Sequence, residues 1–430
     1  MSRSGAAAPV PTSLLPDTAE EDGLGHLRIG GVDVLELAAT YGTPLFVYDE
    51  AHLRARCREA RSILGERGAI YAGKAFLCRA MAQLVHSEGM RLDVATGGEL
   101  HVGLAAGVPA ERMVLHGNNK SDAELELAME VGVGRIVVDS SDELDRIERL
   151  VAAGAPRPSV LLRINPGIEV HTHEHVRTGN LDSKFGFPLP TGQAADALER
   201  AQRSDAMDVA GLHLHIGSQV FSVANFIEGL RAVAPFVVDA DLPELVVGGG
   251  LGVAYVAGET APSITEWATA VIEGCRDVGI RSEIAAEPGR AIAASAAVTL
   301  YTVGTVKFIP GVRTYVAVDG GMSDNPRPVL YGSGYETFLP RAVGARREMP
   351  VRLVGKHCES GDLLVREGVV PADLAVGDVV ATPVTGAYGH SMGSNYNKVL
   401  RPPVVFVADG EARLVVRRET LDDLMATDVG

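Results

Sequence analysis

Eight short apolar runs rich in β-branched residues recur between residues 69 and 286, and this repeat constrains the fold more than any other feature. They are Ala69–Ala75, Arg91–Ala95, Met113–Leu115, Arg135–Val138, Ser159–Ile164, Val209–Ile216, Leu245–Val247 and Ser282–Ala286. Amphipathic segments of helical period fill most of the gaps, as in Asp122–Val131, Asp142–Ala153 and Ile264–Val278. Eight strands alternating with helices predict an α/β fold, a (β/α)8 TIM barrel. The rival is an open doubly wound sheet, but no GxGxxG follows the first strand. The chemically unusual residues all fall at one end of the repeat. Lys74, Asp93, His116, Asn165, His215, Ser218, Gly248–Gly250 and Glu287–Arg290 follow or close their strands. In a barrel these positions share the C-terminal rim and face one cavity.

Beyond Ala291 helical periodicity fades. Thr314–Val318, Pro350–Val354, Asp378–Pro383 and Val404–Val416 read as strands, the last a hairpin turning at Asp409-Gly410. A second, β-rich and β-barrel-like domain is therefore predicted over 291–430. An early hairpin at His26–Val34 predicts that residues 24–42 join it, leaving the barrel over 43–290. Residues 1–23, rich in Ala, Pro, Ser and Thr, read as a disordered tail rather than a signal peptide. The most apolar run, Ala291–Val306, is interrupted by Ser and Thr and is too short to span a bilayer. Four cysteines without a CxxC pair suggest reduced thiols and a cytoplasmic protein. Lys+Arg 39 against Asp+Glu 55 leaves a net charge of −16, which argues against a nucleic-acid partner.

Lys74 ends an apolar strand. A lysine on a buried strand end is costly to keep charged, so a lowered pKa and a nucleophilic amine are expected, as Schiff-base chemistry on an aldehyde cofactor requires. Gly248–Gly252 directly follows a strand and is either a tight turn or a phosphate cradle of backbone amides. Ser218 and Arg290 would complete such a cradle. Glu287, beside Arg290, is either half of a local ion pair or the partner of a protonated ring nitrogen. His213 and His215 share one side of their strand, and either could be a packed core histidine. His171, His173 and His175 alternate like metal ligands, but no further ligand lies at the right spacing, so no metal is expected. Three polar loops after residue 291 carry Arg327, then Cys358 and Glu359, then Tyr388 with the run Ser394-Asn-Tyr-Asn397.

Taken in order, Tyr71-Ala-Gly-Lys74-Ala, His215-Ile-Gly-Ser218-Gln, Gly248-Gly-Gly-Leu-Gly, Glu287-Pro-Gly-Arg290, Asp319 to Arg327-Pro, Cys358-Glu-Ser-Gly-Asp and Thr385-Gly-Ala-Tyr388-Gly resemble the diaminopimelate decarboxylase family. These are fold-type III enzymes that use pyridoxal 5'-phosphate to make L-lysine from meso-diaminopimelate. The match runs from about Thr43 to Asn397, with small departures such as Ala95-Thr96 before Gly97-Gly98. The resemblance implies that Lys74 binds the cofactor aldehyde, His215 stacks on the ring and Glu287 pairs with the ring nitrogen. It also implies that Ser218, Gly249, Gly250 and Arg290 hold the phosphate region, with Asp93, Pro288, Gly289 and Tyr388 lining the cofactor site. Arg290, Arg327 and Tyr331 would bind the distal carboxylate of the substrate, Glu359 its distal ammonium, and Tyr388 would contact both. Cys358 would be the proton donor, and a homodimer with shared active sites would follow. The alternative is a decarboxylase of another amino acid in specialised metabolism.

Overall fold

The computed structural model describes residues 8–167 and 181–430. The histidine run at 171–175 lies outside them. The chain forms two compact units: Arg56–Val253 with Ala261–Ala291, and Met1–Ala55 with Ala254–Thr260 and Ile292–Gly430.

In the first unit eight parallel strands pair in chain order: β1 (Ile70–Ala72), β2 (Arg91–Val94), β3 (Met113–Leu115), β4 (Arg135–Val138), β5 (Ser159–Asn165), β6 (Asp208–Leu214), β7 (Glu244–Val246) and β8 (Glu283–Ala285). A parallel bridge between Ala69 and Ala286 closes the ring, with Ile70 N donating to Ala286 O at 3.1 Å and Ala286 N to Gly68 O at 2.8 Å. The TIM-like barrel expected from the repeat is thus present. Two of the helices between the strands start at capping boxes. Ser121 with Glu124, and Ser263 with Glu266, form capping boxes ahead of Asp122–Val131 and Ile264–Asp277.

Period-two geometry stacks the barrel interior in layers. At the strand starts, Glu244 accepts from Arg91 at 3.2 Å and from Arg135 at 2.8 Å. Above them Ile70, Val114, Val137, Leu161, Val246 and Ala285 form one buried apolar cluster. Each fully buried aliphatic side chain contributes about 1.5–3 kcal/mol, so this plug fixes the register of what stands above it. Two residues further along their strands come Ala72, His116, Asp139, Arg163, Gly248 and Glu287, the polar layer of the mouth.

The second unit is a mixed eight-stranded sheet. The 13-residue strand Ala297–Ile309 is its spine and pairs antiparallel with Leu45–Asp49, Arg313–Val318 and Val379–Pro383. Two features depart from the sequence reading. Leu45–Asp49, placed with the barrel by its position, pairs with Ala297–Ile309 and Val404–Ala408 instead. Residues 8–23, read as part of a disordered tail, include side chains that pack into the core of this unit. Val10 and Leu15 enter the same core as Leu27, Ile29 and Val405, and Thr18 donates to Asp49 Oδ2 through its amide at 3.0 Å and its hydroxyl at 2.7 Å. Burial of those few apolar side chains offsets the entropy of ordering a Pro- and Ala-rich stretch.

Candidate active site

Lys74 sits just past β1, in the 3-10 turn Gly73–Ala75. The Tyr71 hydroxyl pins that turn by donating to Phe76 O at 2.8 Å, and the following helix starts only at Arg79. The expectation of a buried amine is corrected here. The flanking Gly73 and Ala75 are buried, but the Lys74 side chain is exposed, because it stands above the apolar plug where the barrel opens. Burial in the bare protein is therefore not what would activate it. Its charge favours ionisation of Asp93 and Glu99 and disfavours charging of His215.

Beyond the neighbouring strand β8 stands Glu287, buried, with its amide bonded to Gly248 O at 2.7 Å. Its Oε2 lies 3.1 Å from His213 Nε2 and its Oε1 lies 2.8 Å from His116 Nε2. Burial pulls the carboxyl upward, but the two imidazoles outweigh it and hold Glu287 well below the usual carboxylate range. Asp93, 3.8 Å from His116, is pushed up to about 6 by burial, which outweighs the attraction of His116. Burial likewise lowers His213 to about 4 and takes His215 well below the usual imidazole range.

The third component is an anion cradle. Arg290 donates to Ser218 Oγ at 3.2 Å, and Gly249 N reaches toward His215 Nδ1 at 3.4 Å. Gly250 adopts φ +103°, and a Cβ there would collide with Gly217 O, so only glycine allows the backbone this close. Three components thus stand at one mouth: an amine, an ionised acid, and a cation with a hydroxyl over glycine-rich backbone.

These residues fit pyridoxal 5'-phosphate. Glu287 Oε1 is buried yet completes no directed hydrogen bond, despite its closeness to His116. Such an acceptor suits a ring N–H, and the cradle suits a phosphate. Arg163 escaped the sequence reading. Its guanidinium, 3.3 Å from Asp139 and 4.3 Å over the Phe185 ring, faces Glu287 and Asp93. The signal was its place two residues beyond Leu161.

The remaining candidates lie in the second unit. Arg327 is buried, donates to Tyr335 Oη at 2.7 Å and lies 4.3 Å over the Tyr255 ring; neither tyrosine was singled out from the sequence. Tyr331 is exposed at the end of the helix Arg327–Tyr331. Cys358 is an exposed free thiol, and the adjacent Glu359 carboxylate accepts from the Tyr396 hydroxyl. His357 braces that loop, with Nε2 2.8 Å from Ser323 Oγ and Nδ1 3.0 Å from Asn397 Oδ1. Tyr388 holds φ +59°, strained for a side-chain-bearing residue.

Residues 50–294 match the pyridoxal-binding domain of pyridoxal-dependent decarboxylases. The diaminopimelate decarboxylase of Mycobacterium tuberculosis is 45% identical, with 96% of this chain and 97% of the relative covered. That of Bacillus subtilis is 44% identical over 96% and 98%. The chain belongs to the diaminopimelate decarboxylase family. Among solved structures, diaminopimelate decarboxylase from M. jannaschii in co-complex with L-lysine superposes with a TM-score of 0.89 at 32% identity, covering 96% of this chain and 98% of that one. Among the described residues no helix is long and apolar enough to cross a membrane.

Proposed function

We infer that this enzyme uses pyridoxal 5'-phosphate to decarboxylate meso-diaminopimelate to L-lysine. The observation that carries the reading is Glu287, held ionised by its imidazole neighbours with one oxygen still available. Family membership supports it. Pyridoxal 5'-phosphate, when bound, supplies a protonated ring that accepts the electron pair left as carbon dioxide departs.

The residues divide that work by their chemistry. The Lys74 amine would hold the aldehyde, and His215 would face the ring. Ser218, Gly249, Gly250 and Arg290 would bind the phosphate, with Asp93, Pro288 and Gly289 around them. Glu287 would keep a proton on the ring nitrogen, since an ionised carboxylate raises the pKa of a base it faces. Arg290, Arg327 and Tyr331 would bind the distal carboxylate and Glu359 the distal ammonium, while Tyr388 would contact cofactor and substrate. Cys358 Sγ would return a proton to the carbon that lost carbon dioxide. The buried guanidinium of Arg327 favours a diamino-diacid over lysine or ornithine, which carry no distal carboxylate. A hydrogen bond to a charged group contributes about 1.5–3 kcal/mol, roughly a tenfold to hundredfold preference.

Comparing turnover of meso-diaminopimelate, lysine and ornithine tests the substrate assignment. Arg327→Ala is expected to raise KM for meso-diaminopimelate by that same factor. Equal turnover of ornithine by the unaltered enzyme would point to another decarboxylase.

A homodimer is part of the same proposal, with the Cys358–Glu359 loop of one protomer serving the mouth of its partner. Lys74→Ala and Glu359→Ala proteins, each inactive alone, should regain about a quarter of full activity on mixing. Random exchange makes half the dimers mixed, each with one intact site. No recovery despite proven exchange would count against shared sites.

A further inference from the structure

His116 and His213 are left unused by the chemistry above, yet both are buried polar side chains of the barrel, 8% and 2% exposed. We propose that they act together as a clamp that fixes the orientation of the Glu287 carboxylate, His213 hydrogen-bonded to one oxygen and His116 packed against the other, and so are positioning residues for cofactor binding and turnover. The proposal rests on the reading of Glu287 as the partner of the ring nitrogen.

The clamp follows from where the three side chains stand. His116 comes two residues beyond Val114 on the line of β3, Glu287 two beyond Ala285 on the line of β8, and His213 lies on β6. The apolar plug below prevents any of the three from dropping into the barrel. Nε2 of His213 lies 3.1 Å from Oε2 and Nε2 of His116 2.8 Å from Oε1, and the two rings meet edge to face with centroids 4.9 Å apart. A carboxylate on two methylenes would otherwise sample several rotamers, and a buried one gripped at a single oxygen could still turn about its last bond. A hydrogen bond with His213 at one oxygen, and the His116 ring packed 2.8 Å from the other without a directed bond, restrict that freedom before the cofactor arrives, as preorganised catalytic electrostatics require.

The two imidazoles differ in role. His213 Nδ1 is buried without a hydrogen-bond partner, so the neutral ring with its proton on Nε2 is the form that suits the site, and it donates to Glu287. His116 stands between two carboxylates, Glu287 and Asp93. Burial opposes its charge, but those carboxylates outweigh the burial and raise its pKa. The other charged groups facing the cluster are Arg163 from β5 and Lys74 beyond β1. The two histidines are the neighbours placed directly on the Glu287 carboxylate oxygens, at 3.1 and 2.8 Å.

The same donor set, two imidazole nitrogens and a carboxylate oxygen within 4.8 Å, could hold a divalent metal, and the test separates the two readings. The variants are His213→Gln, His213→Asn, His116→Gln and His116→Asn, with Glu287→Gln as the control. Glutamine can carry an amide to the place of Nε2, whereas asparagine is too short and remains polar enough to spare the fold. Three quantities are measured: the pyridoxal 5'-phosphate concentration that restores the visible band in resolved enzyme, and kcat and KM for meso-diaminopimelate.

Each asparagine variant is expected to need about tenfold to a hundredfold more cofactor and to lose kcat by a similar factor, with KM within about twofold. Glutamine should restore most of both. Asparagine variants that match the unaltered protein in band and kcat would overturn the clamp. So would a rise confined to KM, or stoichiometric zinc in purified enzyme that the histidine variants lose. If Glu287→Gln itself changes neither spectrum nor kcat, the ring-nitrogen reading fails instead, which is a separate result.

Discussion

Lys74→Ala is expected to lose the visible absorbance of the bound cofactor and to reduce carbon dioxide release to background. Lys120, a lysine near the rim, is 2% exposed and committed to Glu143, Gly117 O and Val137 O. Burial lowers its pKa against the attraction of Glu143. The substitution removes an exposed side chain from a short turn, so the melting temperature should stay nearly unchanged. Loss of spectrum and activity in a normally folded protein separates chemistry from stability. An unchanged spectrum with activity retained would refute the assignment of Lys74.

Glu287→Ala is expected to lower kcat by about 10²- to 10³-fold while the protein still binds the cofactor through Lys74 and the cradle. The size is that of removing one preorganised electrostatic partner from a developing charge. Alanine leaves no acid facing the ring nitrogen, and it also leaves two buried imidazoles without the carboxylate that His213 bonds and His116 packs against. Those imidazoles add a stability cost of about 1–3 kcal/mol for each unsatisfied buried group. Activity should therefore be measured at a temperature where the variant is folded, with circular dichroism as the check. A kcat within about threefold of the unaltered enzyme would mean that the ring nitrogen needs no acid here.

Much of the barrel was legible because its strands are buried on both faces and bounded by polar residues. Met113–Leu115 and Arg135–Val138 were readable to the residue, being short apolar runs with amphipathic helices after them. Leu45–Asp49 fell within the span 43–290 given to the barrel, although it pairs in the other unit. All five of its residues are buried, and such a run carries no address. The tail was misread because Val10 and Leu15 are isolated apolar residues whose partners, Leu27 and Ile29, lie in the following hairpin.

In the site, the rim positions followed from the strand repeat alone. What stayed hidden was which polar side chains would meet. Counting by two from Val114, Leu161 and Ala285 does bring His116, Arg163 and Glu287 inward. The pairing of Glu287 with His116 and His213 rather than with Arg290, its neighbour in sequence, depends on barrel closure. Arg290 turns to Ser218 instead. The exposure of Lys74 is equally a matter of height above the plug, which a sequence pattern does not encode.

The central claim is that one barrel mouth binds the cofactor through a single amine. Reducing the holoenzyme with borohydride and mapping its peptides by mass tests it directly. A pyridoxyl group on Lys74 alone, formed in proportion to activity lost, is the predicted result. Modification of another lysine at full occupancy, with Lys74 untouched, would contradict it.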